Sequence, residues 1–117
     1  MDINKTAGKI AVILEDKKAR DIEILDIKGK TVLADYFVIC SGSSETHIRT
    51  LCDEVEEKLE EEGLACLHKE GYGTARWILM DYGDIVVHIF HKDEREFYNI
   101  ERLWSDSVMK HRDTPVK

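Results

Sequence analysis

The sequence predicts one α+β domain (α/β in the broad sense), a single mixed sheet of about five strands with flanking helices in the order αββαβββα. Three observations predict it. Short β-branched runs alternate with stretches of helical spacing; one run of five consecutive apolar residues suits only the inside of a sheet; and 117 residues leave room for one core but not two. We take residues 1–105 as the domain and 106–117 as a polar tail that frays.

Ile3, Ala7, Ile10, Ala11 and Leu14 form one apolar stripe on an opening helix, with Asp2 or Thr6 as its cap. Ile22 to Ile27 (IEILDI) is short and β-branched and leads to Gly29, so it reads as a strand and then a turn. Tyr36 to Cys40 (YFVIC) is the longest apolar run, and burial on both faces places it near the middle of the sheet. Ser41-Gly42-Ser43-Ser44 then offers a helix N-cap, with Glu45 in the first turn where the macrodipole favours an anion. That helix buries Ile48, Leu51, Cys52, Val55 and Leu59 and stops at Gly63, which tolerates the left-handed cap conformation. Leu64–His68, Arg76–Asp81 and Ile85–Phe90 read as three more strands, the last two joined as a hairpin through Asp81-Tyr82-Gly83-Asp84. KDEREFYNIERLWSD, from Lys92, returns to helical spacing with Phe97, Ile100 and Trp104 facing inward.

Hydrophobic residues at 43%, charged residues at 35% and a single Pro describe a chain that folds. Seventeen Lys and Arg against twenty-four Asp and Glu give 17 − 24 = −7, which repels nucleic acid and excludes direct sequence-specific binding to it. A basic partner is the natural counterpart. No apolar run nears the roughly 20 residues of a membrane span. Asp2, Glu15, Asp16 and Asp21 spoil both a secretory and a transit leader, so the expected localisation is cytoplasmic. Cys40, Cys52 and Cys66 are odd in number, lack a Cys-x-x-Cys spacing and sit in apolar patterns. They read as buried thiols rather than as a disulfide or zinc framework, and no cofactor or metal is expected.

Gly42-Ser43-Ser44 between a buried strand and a helix is either an ordinary cap or an anion site. It lacks the Walker pattern, and although the layout is similar to that of nucleotidyltransferases, the paired carboxylates that hold their two cations are missing. Asp53, Glu54, Glu56, Glu57, Glu60, Glu61 and Glu62 read as a solvated helix face, with steering toward a basic partner as the alternative. His88 and His91 are three apart on a strand and point to opposite faces, which removes them as a metal pair. His47 and Arg49 have no nucleophile and acid to complete a catalytic triad, and Gly71-x-Gly73 reads as a turn. On the fourth strand Trp77, Leu79 and Asp81 share one face while Ile78, Met80 and Tyr82 share the other, so neither face is polar. Aromatic and Met side chains beside Asp81 and Asp84 are what a protein-docking patch with an acidic rim contains.

The segments ADYFVICSGSS (Ala34–Ser44), His47, WILMDYGDIVVHIF (Trp77–Phe90) and REFYNIERLW (Arg95–Trp104) together resemble the ribosomal silencing factor, or Iojap-like, family. The resemblance runs from about residue 3 to residue 105 and is weakest from Ala65 to Ala75. It implies a nucleotidyltransferase-like fold without catalytic acids, and no enzymatic activity. It also implies docking on the large ribosomal subunit through its fourteenth protein, which blocks joining of the small subunit and represses translation when nutrients are short. The matching segment makes Trp77, Met80, Asp81, Tyr82 and Asp84 the expected partner-binding residues. A large-subunit assembly factor and an active nucleotidyltransferase are the alternatives. An apolar sheet face also permits a homodimer when the protein is free.

Overall fold

The computed structural model describes residues 3–98 and 108–110. Helix α1 (Ile3–Asp16) is followed by β1 (Arg20–Asp26), β2 (Tyr36–Gly42), α2 (Glu45–Glu60), β3 (His68–Glu70), β4 (Trp77–Asp81), β5 (Ile85–His91), α3 (Lys92–Tyr98) and β6 (Val108–Lys110). The strands form one six-stranded sheet in the order β3-β4-β5-β2-β1-β6, with β2 and β5 parallel and every other pair antiparallel. The predicted element order therefore holds through α3, and a sixth strand is added at the edge of the sheet. Its three residues lie inside the stretch read as a polar tail and pair with Glu23, Ile24 and Leu25.

The central position expected of YFVIC is observed: β2 lies between β5 and β1, and all seven of its residues are buried. Period two sorts the sheet into two apolar layers. Tyr36, Val38, Cys40, Ile78, Met80, Val87 and Ile89 pack with Ile10, Leu14, Ile48, Leu51 and Val55 of α1 and α2. On the other face Leu25, Ile27, Phe37, Ile39, Val86 and Phe90 form a smaller cluster, with Trp77 and Leu79 partly buried at its margin.

Several boundaries differ from the sequence reading, two of them at the first and third strands. β1 begins at Arg20 rather than Ile22, because Asp21 is left-handed (φ +52°) and a bulge shifts the register between Arg20 and Glu23. The strand expected at Leu64–His68 is instead His68–Glu70. Leu64 and Cys66 satisfy their apolar pattern by packing against the helix-side core, while the ladder offered by β4 opens opposite Asp81 and runs to Leu79. α3 is described to Tyr98; the side chains of Phe97, Ile100 and Trp104 lie outside the described ones.

Candidate partner-docking surface

The site grows out of β4. Alternation places Ile78 and Met80, both fully buried, and Tyr82, 7% exposed, against the helix-side core. Trp77, Leu79 and Asp81 project from the opposite face and remain partly exposed. Tyr82 N–H donates to Ile85 O at 2.9 Å, closing the predicted hairpin over Gly83 and the exposed Asp84. Asp81 Oδ1 accepts from Gly83 N–H at 2.7 Å. Of the five sequence-predicted contact residues, then, Trp77 and Asp81 share a face and Asp84 lies at its tip. Met80 and Tyr82 stand behind the strand, where the two-residue period withholds their side chains from anything that covers Trp77.

The hairpin tip is welded to the β1–β2 loop, since Asp84 O accepts from Asp35 N–H at 2.8 Å and Tyr36 N–H at 3.1 Å. That loop carries Val32 and Leu33, 102% and 69% exposed, and Leu67, 71% exposed, is tied to Asp81 O through its own N–H. Sequence reasoning missed these three: Val32 and Leu33 lie in a loop that carries no periodic signal, and Leu67 was read as part of a strand. It also passed over Leu79, although Leu79 has the parity of Trp77.

Beneath Trp77 lies a ring of aromatic groups. The indole N–H donates to His88 Nδ1 at 3.1 Å, and the indole stacks on Phe90 at 4.9 Å between centroids. Phe37 meets the imidazole edge-on at 4.6 Å. Burial pushes the His88 imidazole down to about 4, so it is neutral at physiological pH. Its polar place in the apolar run IVVHIF was the available signal for a special role.

The Gly42-Ser43-Ser44 loop is occupied by its own neighbours. His47 Nδ1 accepts from Ser43 N–H at 2.9 Å, its Nε2 donates to Lys17 O at 2.8 Å, and Ser44 Oγ caps α2 by accepting from His47 N–H at 3.1 Å. A Cβ on Gly42 would sit 2.7 Å from Ile48 Cγ1, so only Gly permits this close approach of strand to helix. The nearby buried acid, Glu23, faces Arg95 (3.7 Å), whose guanidinium also donates to Ser41 Oγ at 3.0 Å. The arrangement favours a cap over a phosphate cradle.

Among the described residues, Cys52, Asp53 and Glu56 bring one ligand atom each within 4.8 Å of one another. These groups are already engaged: Lys69 Nζ sits 2.8 Å from Glu56, and Tyr72 OH donates to Asp53 at 3.0 Å. Burial pushes the Cys52 thiol up to about 12, away from the thiolate a metal needs. The cluster reads as the tie between α2 and the β3 edge. All three cysteines are free; Cys40 and Cys52 are buried as the apolar pattern predicts, whereas Cys66 is partly exposed. No described helix is long and apolar enough to cross a membrane.

Comparison with known proteins places this geometry. The family described as "Ribosomal silencing factor during starvation" (RsfS) matches residues 1–117. A ribosomal silencing factor RsfS of Bacillus subtilis is 44% identical over 99 residues, covering 85% of this chain and 84% of the relative. A crystal structure of a Chromobacterium violaceum protein superposes with a TM-score of 0.85 at 36% identity, covering 90% of this chain and 88% of that one. A more distant mouse relative, "Mitochondrial assembly of ribosomal large subunit protein 1", is 30% identical over 98 residues, 80% of this chain and 42% of its own length. The family is one of non-enzymatic, ribosome-binding regulators. On the family match over the full length and on these identities, the chain belongs to the ribosomal silencing factor (RsfS) family, which includes the Iojap-related proteins.

Proposed function

We propose that this protein docks on the large ribosomal subunit through its fourteenth protein, blocks joining of the small subunit and so represses translation when nutrients are limiting. The observation that carries the reading is the partly uncovered stripe of Trp77, Leu79 and Asp81 on the sheet face away from α1 and α2, within a chain of the silencing-factor family. Trp77 and Leu79 would fill apolar ground on the partner, while Asp81 and Asp84 would meet its Arg or Lys side chains. Val32, Leu33 and Leu67 extend apolar surface around the hairpin tip. Met80 and Tyr82 support the strand from behind. In the free protein the same stripe is available to a second copy of the chain.

The test is to mix the protein with separated subunits and follow their joining by light scattering. We expect inhibition by the native protein, and Trp77→Ala to weaken binding to the large subunit by about 2 kcal/mol with its fold intact. A folded Trp77→Ala protein that inhibits as well as the native one removes Trp77 from the surface. A second reading, assembly of the large subunit, is favoured by the mouse relative, which is named for assembly of the mitochondrial large subunit. It predicts co-sedimentation with the large subunit and no effect on joining.

A further inference from the structure

Trp77 is the largest side chain on the outer face of β4, and a polar contact is added to its packing there. Its N–H reaches across to His88 Nδ1 on β5 at 3.1 Å, while its ring stacks on Phe90 with 26° between the planes. An indole N–H only donates, so Nδ1 must supply the lone pair and the imidazole proton must reside on Nε2. Among the described residues, that Nε2–H has no hydrogen-bond partner, in a residue only 3% exposed. A Phe or Leu would fill this aromatic surround without leaving a donor unmet. What the imidazole supplies, and an apolar side chain does not, is the acceptor for Trp77.

We propose that His88 is a positioning residue for docking: its Nδ1 holds the Trp77 indole in one orientation at the partly exposed margin of the outer sheet face, so that the anchor is ordered before the partner arrives. The proposal rests on the reading of Trp77 as a docking anchor. A partly exposed aromatic side chain that loses such a directional contact samples more orientations and gives up that freedom on binding. Ordering it in the free protein removes the loss from the binding step. His88 itself is too deeply covered to touch a partner and acts through Trp77.

Three full-length variants test this. His88→Phe removes the acceptor but keeps a ring, His88→Asn returns an acceptor oxygen close to the place of Nδ1, and Trp77→Ala removes the anchor. For each, affinity for purified large subunits is measured by co-sedimentation, folding by thermal denaturation, and the Trp77 indole N–H by NMR in the free protein. The chain has two tryptophans, so the Trp77 signal is the one that vanishes in Trp77→Ala. We expect His88→Phe to fold, to shift the Trp77 indole signal, to speed its exchange with solvent, and to bind about three- to tenfold more weakly. We expect His88→Asn to restore most of both. An indole signal and exchange rate unchanged in His88→Phe would overturn the proposal. So would altered indole behaviour with native affinity, if Trp77→Ala still weakens binding. Native affinity in Trp77→Ala would instead overturn the docking reading, while the indole measurement still decides whether His88 orders the ring.

Discussion

Met80 and Trp77 lie three residues apart on one strand and are expected to respond to mutation in opposite ways. Met80 is fully buried against the helices, so Met80→Ala should cost about 3 kcal/mol in denaturant unfolding while changing the affinity of the folded protein less than Trp77→Ala does. Equal loss of affinity in the two folded variants would place Met80 at the contact surface. His88 makes a second prediction, on pH. Its ordinary value of 6.5 in the unfolded chain falls to about 4 on folding because burial penalises the imidazolium. Between these values the unfolded chain binds a proton that the folded one does not. Stability is therefore full above about pH 6.5 and is lost as pH falls toward 4, by on the order of 3 kcal/mol. His88→Phe should flatten that part of the stability–pH curve, and a curve as steep as the native one would assign the loss to other groups.

At the scale of elements, the β2–α2 junction is the tightest joint. Ile48 is fully buried on the first turns of α2 and leaves no room for a Cβ at Gly42, while His47 and Ser44 tie up the loop between them. Gly42→Ala should force Ile48 or the helix start to shift, at a cost of about 1–3 kcal/mol in thermal or denaturant unfolding. An unchanged midpoint would mean that the helix end relaxes freely. A second close approach lies upstream of β4: Gly71 (φ +84°) passes so near Trp77 that a Cβ there would overlap the Trp77 carbonyl. The turn from Gly71 to Ala75, closed by Ala75 N–H donating to Gly71 O at 2.9 Å, thus helps to set where β4 begins. α2 ends at Glu60, short of the Gly63 that the sequence reading gave as its stop: Glu61 is a right-handed cap, and Gly63 takes the left-handed conformation (φ +84°) in the turn that follows.

For the whole molecule the net charge of −7 and the acidic residues at the hairpin tip matter more for encounter than for the bound state. Association with the large subunit should slow as ionic strength rises, and Asp84→Asn should lower the association rate a few-fold while leaving dissociation nearly unchanged. Stopped-flow mixing over a salt series checks this. Association that is insensitive to salt, or faster in Asp84→Asn, would mean that repulsion by ribosomal RNA outweighs attraction to the basic partner. The α2 acids are partly committed within the protein, through Lys58–Glu54, Lys69–Glu56 and Tyr72–Asp53 contacts, so that face is not simply a steering surface.

What the sequence determined by itself is what local periodicity encodes: the order of elements through α3, the interior place of YFVIC, a helix cap within Ser41–Ser44, and the hairpin at Asp81-Tyr82-Gly83-Asp84. Its long motifs also carried the family. The tertiary structure decided matters that depend on who stands opposite whom. The third strand lies at His68–Glu70 because β4 offers its ladder there, and Leu64 and Cys66 find their burial without one. The predicted surface divides because the helix-side core, to which α2 belongs, lies on one side of β4, turning Met80 and Tyr82 into core and leaving Trp77 and Asp81 outward. His88 gained its role only across strands, where the pairing of β4 with β5 sets an imidazole beneath an indole eleven residues away in the chain. Periodicity along one strand says which face a side chain takes; it does not say what the neighbouring strand and helices place against that face.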